Sequence, residues 1–260
     1  MLQIIKELIL HSNPKSPVSE AYRVLRTNIQ YSFVDKPLKS VVVTSSGPGE
    51  GKTTTVTNMA IAFAQSGSKV LLVDGDLRKP RIHKVFGIAS GKGLSNLLIS
   101  KGGLGEYVNQ TEVPNLYVLP CGTIPPNPSE LLSSNSMRQF IEEACSQYDM
   151  VFVDAPPVGA VTDAAILSTI CDGVVIVAAS GVVEDYALVR AKELLTNVNA
   201  NIIGVVLNRI KKSSSASYHY YYYYYYDTNE KESGENSTGT RHKERRRKKK
   251  NSRANIEVEA

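Results

Sequence analysis

Residues 45–55 read SSGPGEGKTTT. Gly47, Gly49 and Gly51 let main-chain amides close around an anion with no Cβ in the way, and a following helix would add the positive end of its dipole. Glu50 lies among them, and Lys52, Thr53 and Thr54 follow at once. An ammonium and a hydroxyl at that spacing answer phosphate oxygens and Mg²⁺, so the stretch is suited to a nucleotide polyphosphate. One position departs from the GxxxxGK[ST] pattern: Ser46 stands where its first glycine would be. Two further stretches carry acids. VLLVDGDLRKP holds Asp74, Asp76 and Arg78, and MVFVDAPP holds Asp154. Carboxylate oxygens suit Mg²⁺, which keeps several waters and takes one or two protein ligands.

The elements around these residues set where they meet. KSVVVTS, SKVLLVDGD, NLYVLP, DMVFVDAPP, GVVIVAAS and NIIGVVLN read as strands, and the helices GKTTTVTNMAIAFAQSG, SMRQFIEEACSQY, TDAAILSTIC and EDYALVRAKELLTNV alternate with them. The strands are continuous Val/Ile/Leu runs, the pattern of strands covered on both faces. The expected fold is α/β, P-loop NTPase-like, a mostly parallel sheet with helices on both sides. In such sheets ligands bind at the carboxyl ends of the strands. The phosphate loop, Asp74, Asp76 and Asp154 therefore share one edge. Ahead of this domain lie a short amphipathic stretch, LQIIKELIL, a Ser/Pro-rich link and a helix over EAYRVLRTNIQYSF starting near Ser19. Three regions follow: an N-terminal helical segment (1–37), the P-loop domain (38–210) and a disordered tail (211–260).

The charge is unevenly placed. Residues 1–210 carry 18 Lys+Arg and 18 Asp+Glu, whereas 211–260 carry 12 and 7, which is the whole net charge of +5. The tail contains YHYYYYYYYD, eight tyrosines in nine positions (Tyr218, Tyr220, Tyr221, Tyr222, Tyr223, Tyr224, Tyr225 and Tyr226), and then the basic run RHKERRRKKK at 241–250. Burying seven consecutive phenols would require a partner for every hydroxyl, so the cluster belongs outside a core. A neutral body argues against nucleic acid as a partner, while the basic run suits an anionic membrane surface. No apolar stretch reaches the roughly 18 residues of a membrane span. Three cysteines, Cys121, Cys145 and Cys171, form no CxxC pair and fit a reducing, cytoplasmic setting.

SSGPGEGKTTT, VLLVDGDLRKP and VFVDAPP together resemble the Walker A, A′ and B motifs of bacterial tyrosine kinases (BY-kinases) of capsule and exopolysaccharide systems, of the soluble Gram-positive type. EAYRVLRTNI fits their ExxRxxR motif with Glu20, Arg23 and Arg26, GTIPPNPSELLSS resembles a shared segment, and the tyrosine cluster matches their hallmark. The resemblance implies ATP-dependent autophosphorylation of the cluster between subunits. It assigns ATP·Mg²⁺ to Lys52 and Thr53 within the loop Gly47, Gly49, Glu50, Gly51 and Thr54. It places the metal on Thr53, Asp76 and Asp154, and makes Asp74 the candidate for orienting or deprotonating the phenol. It further implies a ring-shaped homo-oligomer joined through Glu20, Arg23 and Arg26, a membrane adaptor of the polysaccharide copolymerase type that recruits the protein to the inner face of the cell membrane, and an opposing tyrosine phosphatase.

Two other readings compete. A ParA/MinD-type switch ATPase would carry a signature lysine where Gly47 stands, and it gives no use for the tyrosines. A nucleotide-gated scaffold would use the tyrosines for docking alone.

Overall fold

The computed structural model describes residues 8–32, 38–100 and 102–210. The chain divides into two units, Met1–Lys211 and Lys212–Ala260. The second, with the tyrosine cluster and the basic run, lies outside the described residues, as does most of LQIIKELIL.

Seven strands form one sheet: β1 (Ser40–Ser45), β2 (Val70–Asp74), β3 (Asn109–Gln110), β4 (Leu116–Leu119), β5 (Met150–Asp154), β6 (Gly173–Ala179) and β7 (Ile202–Asn208). Their spatial order is β3-β4-β2-β5-β1-β6-β7. All neighbours are parallel except the two-residue β3, which pairs antiparallel with β4. The expected α/β P-loop-like sheet is present; β3 is too short to leave a periodic signal in the sequence.

Side-chain alternation divides the strands between two cores. Val41, Val43, Leu72 and Phe152 face one side with α3 (Lys52–Gln65) and α4 (Ile82–Phe86). Val42, Leu71, Val73, Val151 and Val153 face the other with α5 (Leu94–Ser100), α6 (Pro128–Leu132), α7 (Asn135–Gln147), α8 (Asp163–Ser168) and α9 (Asp185–Thr196). The first core also takes Leu8, Leu10 and Ile29 from α1 (Ile9–Ser12), its preceding residue and α2 (Pro17–Gln30). Among the described residues no helix is long and apolar enough to cross a membrane.

Three details differ from the sequence reading. α2 begins at Pro17, because Ser16 is its N-cap and accepts from the Ser19 amide; proline is preorganised for the first helical position. The short α6 was absent from the reading. β7 reads as a buried run, yet it is an edge strand with Val205 and Leu207 half exposed. A continuous apolar run does not reveal which strand ends the sheet.

Candidate functional site

The phosphate loop joins β1 to α3. Gly49 (φ 79°) and Gly51 (φ 91°) adopt the left-handed conformation that side chains disfavour, and a Cβ at Gly51 would also collide with the Asn208 amide. The serine that breaks the consensus pattern has a structural use. Ser46 Oγ donates to Glu50 Oε1 at 2.6 Å, and the Gly47 amide donates to the same oxygen. Glu50 is thereby buried and turned into the loop, which it braces with its side chain. From the far edge of the sheet, Asn208 Nδ2 donates to the Glu50 carbonyl at 3.0 Å. Sequence reasoning passed over Asn208, although a polar residue ending a strand on the site edge is the signal that marked Asp74 and Asp154.

Register brings the acids together. β2 and β5 are neighbours, and Asp74 and Asp154 stand directly opposite as their last residues. Asp154 collects both reactive groups of the loop: Thr53 Oγ1 donates to Oδ2 at 2.6 Å, and Lys52 Nζ lies 3.3 Å from Oδ1. That second contact is an ion pair without hydrogen-bond alignment, which leaves Oδ1 free of a hydrogen-bond donor. Asp74 is fully buried. Its Oδ2 accepts from the amides of Arg81 (3.1 Å) and Ile82 (3.0 Å), while Oδ1 has no partner. Asp76 turns its Oδ1 to the amides of Arg78 (3.2 Å) and Lys79 (2.9 Å).

Burial, reinforced by the neighbouring Asp154 and then Asp76, pushes the Asp74 carboxyl up to about 8 against the pull of the Ile82 and Arg81 amides. Burial also raises Asp154, but Lys52 and Thr53 oppose it there. The division is physically sensible: Asp154 keeps the charge beside an ammonium, and Asp74 keeps the proton.

A bidentate ion pair steadies the loop after β2. Arg78 reaches Asp163, the fully buried first residue of α8, through Nε and Nη2, each at 2.9 Å. Asp163 was also missed, since TDAAILS reads as an ordinary helix start.

The sequence-derived loop and acid residues therefore meet at one edge. Two buried carboxylates, each with an oxygen that accepts no hydrogen bond, beside a hydroxyl, an ammonium and left-handed glycines, fit a polyphosphate with a divalent cation. Among the described residues no three His, Cys, Asp or Glu side chains group around a metal position. A cation here would complete its shell with phosphate and water oxygens. Glu20, Arg23 and Arg26, expected from the resemblance to join subunits, lie elsewhere, on α2. Glu20 and Arg23 form an exposed pair at 2.9 Å, and Arg23 also donates to the Pro14 carbonyl. Arg26 turns instead toward α3, where Nη1 approaches the Ala62 carbonyl at 3.4 Å.

A strand, phosphate loop and helix with acids ending the neighbouring strands define a P-loop nucleotide-binding protein. The AAA domain family model matches residues 38–209. Tyrosine-protein kinase YwqD of Bacillus subtilis is 46% identical over 208 residues, 80% of this chain and 88% of its own. The crystal structure of the chimerical protein CapA2B2 superposes with a TM-score of 0.77 at 42% identity, covering 80% of this chain and 91% of that one. The septum site-determining protein MinD of Pyrococcus horikoshii is more distant, with a TM-score of 0.57 at 25% identity over 68% of this chain and 72% of its own. The chain belongs to the bacterial tyrosine-protein kinases within the AAA-domain class, and the kinase reading prevails over the MinD-like one.

Proposed function

We propose that the protein is an ATP-dependent autokinase that phosphorylates the tyrosine cluster, Tyr218 and Tyr220–Tyr226, of a neighbouring copy, and thereby regulates polysaccharide synthesis and export. The observation that carries this is the gathering of Lys52 and Thr53 on Asp154, next to the partnerless oxygen of Asp74, in a chain with eight tyrosines in nine positions.

ATP supplies the phosphoryl group, and Mg²⁺, when bound, neutralises charge on its oxygens. The chain's own groups position and polarise. Amides of Gly49–Thr54 cradle phosphate, and Lys52 offsets negative charge. Thr53, Asp76 and Asp154 hold the cation, partly through water. Asp74, whose Oδ1 has no partner, would in its ionised form be the acceptor for the phenolic proton. A phenol with a pKa of about 10 is a poor nucleophile at neutral pH, and a carboxylate raised toward it is a better-matched base than an ordinary one. Most of the rate enhancement comes from positioning and charge neutralisation.

Around this centre the reading places a ring-shaped homo-oligomer that uses Glu20, Arg23 and Arg26, a membrane adaptor that recruits and activates the kinase, and a phosphatase that resets it. The basic run 241–250 would assist contact with anionic lipid.

The test is incubation of the full chain with ATP·Mg²⁺, with and without the cytoplasmic segment of a copolymerase-type adaptor, followed by mass-spectrometric mapping. Phosphate on Tyr218 and Tyr220–Tyr226, abolished by Lys52→Met, is expected. Hydrolysis without phosphotyrosine, unchanged by truncation after residue 217, would overturn the reading in favour of a switch ATPase.

A further inference from the structure

From Asp76 to Glu106 the chain carries Arg78, Lys79, Arg81, Lys84, Lys92 and Lys101 and not one carboxylate between. A body that is neutral overall has concentrated one sign of charge in a single stretch. The fold shows where most of it goes. Lys79 and Arg81 are exposed, and their amides are tied to Asp76 and Asp74, which anchors the backbone of both residues beside the acids of the site. Lys84 is exposed on α4, whose first amides are also held by Asp74. Lys92 is exposed in the loop that enters α5. That loop is fastened to the end of β4 by the amides of Leu94 and Ser95, which donate to the carbonyls of Pro120 (2.8 Å) and Cys121 (2.9 Å). All four cations thus border the carboxyl edge over β2 and β4, immediately to one side of Asp154 on β5. Arg78 is paired with Asp163; among the described residues Lys79, Arg81, Lys84 and Lys92 form no ion pair.

An unpaired basic rim beside a phosphoryl-transfer site suits an acidic partner, and this chain contains one. Directly after the tyrosines comes DTNEKESGE, with Asp227, Glu230, Glu232 and Glu235 against a single Lys231, whereas the segment before the cluster, KKSSSAS, has no acid. The asymmetry gives the cluster a direction. The distances also agree: strands lie about 4.8 Å apart, so the β4 end is about 10 Å from the β5 end, and an extended chain covers that in about three residues.

Resting on the autokinase reading, we propose that Lys79, Arg81, Lys84 and Lys92 form a docking rim for the tail of a second copy, holding first its acidic flank and then the phosphotyrosines already made, so that modification runs from Tyr226 toward Tyr218. Each transferred phosphate adds about 1.5–2 negative charges and three acceptor oxygens. A tyrosine in the site has the newly modified residues two or three positions downstream, over the rim. The product of one round strengthens the binding of the next, which makes the reaction processive along an otherwise uniform tract.

The test separates docking from catalysis by using the full chain with Lys52→Met. Fluorescent peptides spanning residues 216–235, either unmodified or phosphorylated at Tyr224 and Tyr226, are titrated and followed by anisotropy at two salt concentrations. The phosphopeptide is expected to bind at least about tenfold tighter, with a steeper salt dependence. Adding Lys84→Glu and Lys92→Glu should remove that gain without shifting the unfolding midpoint. Replacing the Lys and Arg residues of 241–250 by serine should leave it in place. Equal binding of the two peptides, or a gain that survives rim reversal, or a gain lost only with the 241–250 replacements, overturns the proposal. In the wild-type chain, a time course should place the first phosphates at Tyr224–Tyr226; first phosphates at Tyr218 would refute the direction. Absence of any phosphotyrosine in that time course would instead sink the autokinase reading, and the peptide titration would still report on the rim.

Discussion

Replacing Asp74 by asparagine should stabilise the nucleotide-free protein while disabling it. The carboxamide oxygen can still accept from the amides of Arg81 and Ile82, so the start of α4 remains capped. What disappears is a buried titratable group facing Asp154. In the unfolded chain the carboxyl titrates near 3.9; in the fold it titrates at about 8. Below the lower value both states hold the proton, and above the upper one both have released it. Between them only the fold retains it, so wild-type stability falls as pH rises from about 4 to about 8. At about 1.4 kcal/mol per tenfold change the loss is at most about 5 kcal/mol. Asp74→Asn does not titrate and lacks this slope. Denaturation of both proteins in EDTA, without nucleotide, should give near-equal stability at pH 4.5. By pH 8 the variant should lead by about 2–5 kcal/mol, or roughly 5–15 °C in Tm for a domain of this size. Phosphotyrosine formation should meanwhile drop by about 100-fold or more. Parallel pH profiles would refute the reasoning, because they would mean that Asp74 is ionised in the fold throughout.

Other consequences of the geometry are open to measurement. Asn208→Ala removes the bond to the Glu50 carbonyl, and a loss of about 1 kcal/mol should weaken fluorescent-nucleotide binding about fivefold. Gly51→Ala should abolish that binding, and Asn208→Ala added to it should restore only part, since it relieves the collision but not the left-handed strain. Arg78→Gln strands the buried Asp163 carboxylate and should cost about 2 kcal/mol in urea denaturation; Asp163→Asn in the same chain should recover most of it. Burial and then Lys84 hold His83 below its usual value of about 6.5. Stability should therefore be full above that pH and decline as pH falls below it, and His83→Gln should flatten the decline.

The parts of the site legible in the sequence were those fixed by local chemistry. A lysine and a hydroxyl after a glycine turn, and acids closing apolar runs, can be read from neighbours along the chain. Lys52, Thr53, Asp74, Asp76 and Asp154 accordingly came to one edge. The parts not legible depend on register across long separations. Asn208 meets Glu50 because β7 happens to end opposite the loop, and Arg78 meets Asp163 because α8 starts beneath it. Neither pairing has a sequence spacing that could announce it. Arg26 illustrates the converse. Residues 20, 23 and 26 step steadily around a helix, and by the third the side chain has turned toward α3. β7 looked buried because its composition matches its neighbours, while edge position is a property of the sheet as a whole.

The strand order has a consequence for how the protein is made. β1, the strand that launches the phosphate loop, lies between β5 and β6. Neither of its neighbours exists until the ribosome has passed residue 150. At about 5–20 residues per second, β1 waits roughly 5–20 s for its first neighbouring strand. Throughout that interval the apolar run Val41–Val43 has no neighbouring strand on either side, which makes the nascent chain a client for holding chaperones. Nucleotide cannot rescue it early, since Asp154 comes only with β5 and Asn208 only as β7 closes.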